Sequence, residues 1–183
     1  MKNKYILFFG LLVLGLATSC GKDDNYLTRM EDEREERSAY LERNGTFKLL
    51  PEGVYYQVLK APENLDAPKV AIKDEVVVYF TGYFLDGRVF DNNVLNGKYE
   101  PMTLRIVSKL GAQIIREGAA NGYTIEGWVP ALLEMQEGTK ARVVIPSNRA
   151  YPYGKTDGLG NIIIPMYTTL VFDLEVVEIR KPE

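Results

Sequence analysis

The 183-residue chain offers little to conventional acid, base or nucleophilic chemistry, because it has no histidine and one cysteine, Cys20. General acid-base catalysis relies most often on imidazole, and thiol chemistry on a placed thiolate. No group of residues has the spacing of a metal site. What the chain has instead is aromatic and apolar mass: twelve tyrosines, seven phenylalanines and a single tryptophan, Trp128, in a sequence that is 46% apolar. Any activity must come from a shaped apolar pocket that binds rather than transfers protons or groups.

The elements that would position such a pocket are mostly strands. From Phe47 onward the apolar period is two, with Val54, Tyr56 and Val58 alternating with Tyr55, Gln57 and Leu59. Strands are expected over 75–84 and 89–91, joined by an Asp86-Gly87 turn, and over 102–107, 140–145 and 169–179. One core helix is expected over 128–135, with Pro130 in its first turn and Gly138 beyond its end. Hairpin connections without regular strand-helix alternation make the class α+β with a mainly antiparallel sheet.

A charged helix precedes this body. Thr28 and Glu31 have capping-box spacing, and Asn44-Gly45 is a stop, which predicts a helix over 29–43. Glu33 and Arg37 sit four apart, as an ion pair on one face requires. Met30, Tyr40 and Leu41 make only a weak apolar stripe, so the helix reads as a solvated spacer or, alternatively, a dimerisation helix.

At the start, Lys2 and Lys4 precede an apolar run from Tyr5 to Leu16, shorter than the roughly 18–20 residues that span a bilayer. It reads as a secretory signal. Ala17, Thr18 and Ser19 then lead into Cys20, an order that resembles the bacterial lipobox, with Ala17 where leucine is most common. That likeness implies cleavage before Cys20, lipidation of its thiol and a membrane partner held through the anchor. Lys22-Asp23-Asp24 is similar to the signal that sends some lipoproteins of Bacteroidetes-like bacteria to the surface, a solvated linker being the plain alternative. The expected organisation is a signal over 1–19, a lipidated tether and charged helix over 20–46 and a folded domain over 47–183. The location implied is the cell envelope, at the outer membrane, facing the periplasm or the surface. Loss of 1–19 leaves 20 basic against 25 acidic side chains, which argues against a nucleic-acid partner.

The run Tyr79-Phe80-Thr81-Gly82-Tyr83-Phe84-Leu85-Asp86-Gly87-Arg88-Val89-Phe90-Asp91 is followed in fixed order by Gly127-Trp128, Ile145-Pro146, Ala150-Tyr151 and Ile164-Pro165. Together these resemble the FKBP-type peptidyl-prolyl cis/trans isomerases, over the stretch from Gly53 to Ile179. The resemblance implies a curved antiparallel sheet wrapped around one short helix, with a pocket between them that takes proline-containing polypeptides. Carried over, Trp128 is the pocket floor, Phe90 and Phe172 are walls, and Phe80, Met102, Thr124 and Ile164 complete the lining. Asp91, the Ile125 N–H and the Tyr151 hydroxyl are the polar groups. No metal or organic cofactor is implied, and oligomeric state is left open.

Several positions depart from the family pattern. Phe80 stands where a tyrosine is usual, which removes a hydroxyl directed toward Asp91. Met102 replaces a common phenylalanine, Met166 the second residue of a common Pro-Pro pair, and Pro152-Tyr153 is inserted before Gly154. The largest departure is an insert from Val107 to Gly122, for which a short helix over 109–116 is expected, as a lid, a partner-binding element or a neutral elaboration.

Overall fold

The structure, a computed structural model, describes residues 26–95 and 98–182. The expected signal peptide, Cys20 and Lys22-Asp23-Asp24 lie outside the described residues. Helix α1 spans Tyr26–Arg43, and strands β1 (Lys48–Leu49) and β2 (Tyr55–Lys60) follow. Strand β3 (Glu75–Phe84) returns through the Asp86-Gly87 turn as β4 (Val89–Asn92), and β5 (Val94–Leu95) pairs with β6 (Lys98–Tyr99). Strands β7 (Met102–Ile106), β8 (Ala112–Arg116) and β9 (Ala119–Tyr123) form a meander, after which comes the single-turn helix α2 (Trp128–Leu132). Strands β10 (Lys140–Ile145), β11 (Lys155–Thr156), β12 (Ile162–Ile164) and β13 (Leu170–Arg180) complete the chain.

Nine strands form one open sheet in the order β1-β2-β10-β13-β3-β7-β8-β9, with β4 also paired to β3. The pairings are antiparallel. The α+β class with a mainly antiparallel sheet, expected from the sequence, is therefore the class observed. Its long central strands carry alternate residues to two faces. Val143, Phe172 and Leu174 join a core with Leu104, Ile145 and Trp128, Val129, Ala131 and Leu132 of α2, whose Pro130 is buried too, whereas Val144 and Val171 turn the other way to meet Tyr40 of α1. The central strands are thus buried on both faces, as their near-continuous apolar sequences require.

Two local expectations are corrected. The insert is a β-hairpin rather than a helix: Ala112–Arg116 pairs with Ala119–Tyr123 and with β7. Its turn residues Glu117 and Gly118 have φ of 51° and 78°, the two positive values a type I′ hairpin turn uses. Consecutive Ile114 and Ile115 also suit a strand better than a helix. Helix α1, in turn, is no solvated spacer. Tyr40 is buried against Val144 and Val171, and Glu33 is 8% exposed. The expected Glu33–Arg37 pair forms at 3.3 Å.

Candidate functional site

Strand β3, its neighbours β4 and β13, and helix α2 converge on a cluster of five aromatic rings. Phe80 on β3 meets Trp128 edge-on at 5.0 Å between ring centroids, and Trp128 meets Phe172 at 5.3 Å. Phe90 on β4 meets Phe172 at 5.6 Å and Phe84 at 5.2 Å. The contacts among Phe80, Trp128, Phe172 and Phe90 are edge-to-face, aligning ring edges with electron-rich faces, each worth about 0.5–1.5 kcal/mol beyond the area buried, whereas Phe84 meets Phe90 at a tilt. Gly82 makes the approach possible. It pairs with Phe172 on one side and Asp91 on the other, and a Cβ there would lie 2.7 Å from Phe90 Cζ and 2.9 Å from Phe172 Cε1.

Trp128 begins α2, where the chain turns through Glu126-Gly127. The Trp128 N–H donates to Ile125 O at 3.3 Å, and the Gly127 N–H to Arg149 O at 2.9 Å. That second bond ties the start of α2 to the turn Ser147–Arg149, from which Ala150-Tyr151 emerges. The Arg149 guanidinium reinforces the same corner through Glu126 at 2.9 Å and through Glu52. The indole Nε1 is buried and has no hydrogen-bond partner among the described residues. An unsatisfied buried donor costs about 1–3 kcal/mol, so phenylalanine or leucine would fill this core more cheaply.

The remaining expected site residues stand around the cluster. Phe90, Met102, Ile125 and Tyr151 are half-buried and pack on the core, and Ile164 is buried in it. Trp128, Phe80 and Phe172 lie beneath, 4%, 6% and 3% exposed. Among the described residues no backbone carbonyl takes the Ile125 N–H, while Thr124 Oγ1 donates to Ile125 O at 3.2 Å. Tyr151 carries the Lys155 ammonium 5.3 Å from its ring centroid; Tyr153 of the inserted pair is 86% exposed. Asp91 is on the exposed side of β4.

A groove of about 680 Å³ leads away from Phe80, Asp91 and Met102, and its far wall is Ile114, Arg116 and Glu117 of the β8–β9 hairpin. The insert therefore borders this opening rather than lying apart from it. Two positioning residues escaped the sequence reading. Gly82 is one, and its only sequence signal is its place in Thr81-Gly82. The other is Asn93, whose Oδ1 accepts from Phe80 N at 2.9 Å while its Nδ2 donates to Val78 O at 3.1 Å and Glu100 O at 2.8 Å. It fixes the β3 edge where β4 leaves, and one asparagine beside another gives no such hint in sequence.

An open antiparallel sheet with a short helix packed on one face and an aromatic cluster between them defines the class of fold. The crystal structure of a peptidyl-prolyl cis-trans isomerase from Pseudomonas syringae superposes on 88% of this chain and all of its own, with a TM-score of 0.62 and 27% identity. The crystal structure of FkpA from Escherichia coli covers 85% of this chain and 61% of its own, with a TM-score of 0.58 and 29% identity.

The family model described as FKBP-type peptidyl-prolyl cis-trans isomerase matches residues 67–177, and the chain belongs to that family. It is 36% identical over 131 residues to a macrophage infectivity potentiator of Trypanosoma cruzi, covering 72% of this chain and 55% of that protein. It is 33% identical over 147 residues to the isomerase FkpA of Escherichia coli K12, covering 80% of this chain and 45% of the relative. The chain thus spans about half the length of these curated relatives.

Proposed function

We propose that the chain is a peptidyl-prolyl cis/trans isomerase acting on X-Pro bonds of exported proteins by non-covalent catalysis in an apolar pocket. The observation that carries this reading is the ring cluster Phe80-Trp128-Phe172-Phe90, bordered by half-buried Ile125, Tyr151 and Met102. An X-Pro bond rotates over a barrier of about 18–20 kcal/mol that arises from amide resonance. The planar amide separates charge from nitrogen to oxygen; the twisted amide does not. An apolar surface therefore favours the twisted form relative to the planar one, and a site shaped for that form lowers the barrier. No proton leaves the substrate. The proline ring rests over Trp128 between Phe90 and Phe172, the Ile125 N–H and Tyr151 hydroxyl donate to the substrate carbonyls, and Asp91 is the polar partner at the rim.

A second reading follows from the low exposure of Trp128, Phe80 and Phe172. A proline ring reaches the indole only as Phe90, Met102 and Tyr151 yield, and a cluster that stays shut would leave a binding or chaperone module of weak turnover. A protease-coupled proline-peptide assay separates the two. Acceleration well above the uncatalysed rate supports the isomerase; the background rate from a folded sample supports the binding module.

We also propose that Cys20 carries the lipid anchor that holds the protein in the cell envelope, at the outer membrane. Support comes from the Lys2/Lys4-apolar-Cys20 order alone. Metabolic labelling with a fatty-acid analogue, lost in Cys20→Ala, tests the anchor, and protease shaving of intact cells distinguishes surface from periplasmic display.

A further inference from the structure

Helix α1 places a carboxylate against the ends of two central strands. Glu33 Oε1 accepts from Ser147 N at 2.7 Å, Thr169 Oγ1 at 2.8 Å and Arg37 Nη1 at 3.3 Å, and its Oε2 accepts from Ser147 Oγ at 2.7 Å. Arg37 Nη1 also donates to Thr169 Oγ1 at 3.2 Å, which closes the ring of bonds. Glu33 is 8% exposed, Ser147 4% and Thr169 1%. Burying a carboxylate is costly unless its lone pairs are filled, and here they are filled by Arg37 one turn along the helix and by Ser147 and Thr169 far along the chain.

The two body partners sit at adjacent strand ends, since Ile145 and Leu170 face each other across β10 and β13. Each leads into the site. Ser147 opens the turn whose last residue, Arg149, holds Gly127 N at 2.9 Å immediately before Trp128, and whose continuation is Ala150-Tyr151. Thr169 directly precedes the strand that presents Phe172.

We propose that Glu33 is a positioning residue for the isomerase site, a clasp from α1 that fixes the spacing between the Tyr151 segment and the Phe172 strand and, through Arg149, the entry to Trp128. This rests on the isomerase reading above. The helix outside the matched family stretch is then part of the working unit, because the carboxylate satisfies Ser147 N and both hydroxyls at once. Small displacements of positioning groups lower rates strongly, and a fall of at least roughly fivefold in kcat/KM is expected when the clasp is removed.

The test compares Glu33→Gln, which keeps the side-chain volume, Glu33→Ala, and Tyr40→Leu, which loosens the same helix against Val144 and Val171 without touching Ser147 or Thr169. All are full chains, assayed with an X-Pro peptide at a temperature where circular dichroism shows each folded, with amide NMR shifts of Gly127, Ile125 and Tyr151 recorded alongside. The clasp predicts lost turnover and shifted amides in both Glu33 variants and neither change in Tyr40→Leu. Wild-type turnover with unshifted amides in Glu33→Gln overturns it, as does an equal loss in Tyr40→Leu, which would mark general helix docking. If the wild-type protein is itself inactive, the isomerase reading fails, and the amide shifts alone decide whether the clasp exists.

Discussion

Gly82 stands opposite Phe172 across the β3–β13 ladder, and the space its missing side chain leaves is taken by the Phe172 and Phe90 rings. The site's two walls thus meet over a residue that contributes no side chain of its own.

Gly82→Ala is therefore expected to push both rings off their packing. Overfilling a packed core costs about 1–3 kcal/mol. The added methyl is also expected to lower kcat/KM for X-Pro isomerisation more than that stability loss explains at a temperature where the protein stays folded. Thermal melts and peptide assays on one preparation check this. Full activity in a destabilised variant would show that the walls are not the working surface.

Phe80 borders the groove beside Asp91 and packs edge-on to Trp128. Phe80→Tyr restores the hydroxyl usual in the family at that rim. One hydrogen bond of about 1 kcal/mol corresponds to roughly a fivefold gain in rate if it forms in the transition state. Steady-state assays on wild type and variant measure it, and an unchanged or lower rate removes the missing hydroxyl as a handicap.

Burial, with a smaller contribution from the nearby Glu134 carboxylate, pushes the Tyr56 phenol up to about 12. In the unfolded chain the group ionises near its ordinary value of 10.0. Its contribution to stability is complete below about pH 10 and is lost as pH rises toward about 12, because the unfolded state gives up its proton first. The midpoint of thermal unfolding should fall more steeply over that window in wild type than in Tyr56→Phe. Parallel curves would contradict the assignment.

Much of this arrangement was legible in the sequence. Strands β3 and β10 are found at the expected 75–84 and 140–145, because long alternating runs bounded by Gly, Pro or Asp leave little choice of register. Helix α2 is shorter than expected, ending at Leu132, with Leu133 to Met135 continuing as tight turns. The hairpin of the insert was not legible because its turn falls at Glu117-Gly118, and the positive φ that Glu117 adopts has no strong residue signature. The docking of α1 was hidden for a different reason. Its buried side chains are one carboxylate and one tyrosine, Glu33 and Tyr40, and a charged face gives no sign of which charge will be buried. Of the site, the aromatic residues were visible through motif order, whereas Gly82 and Asn93 act through space and backbone that sequence does not display.

The measurement that bears most directly on the apolar-surface account is two-dimensional NMR exchange on a proline peptide at catalytic protein concentration, with Trp128→Leu as the paired variant. Wild type should give cis–trans exchange cross-peaks that the peptide alone lacks on that timescale, with a rate constant across neutral pH, since no proton transfer is involved. Trp128→Leu should remain folded, losing less than the about 3–5 kcal/mol of a tryptophan-to-alanine truncation, and should lose the cross-peaks. Exchange that persists without the indole, or that tracks a titration, would contradict the account.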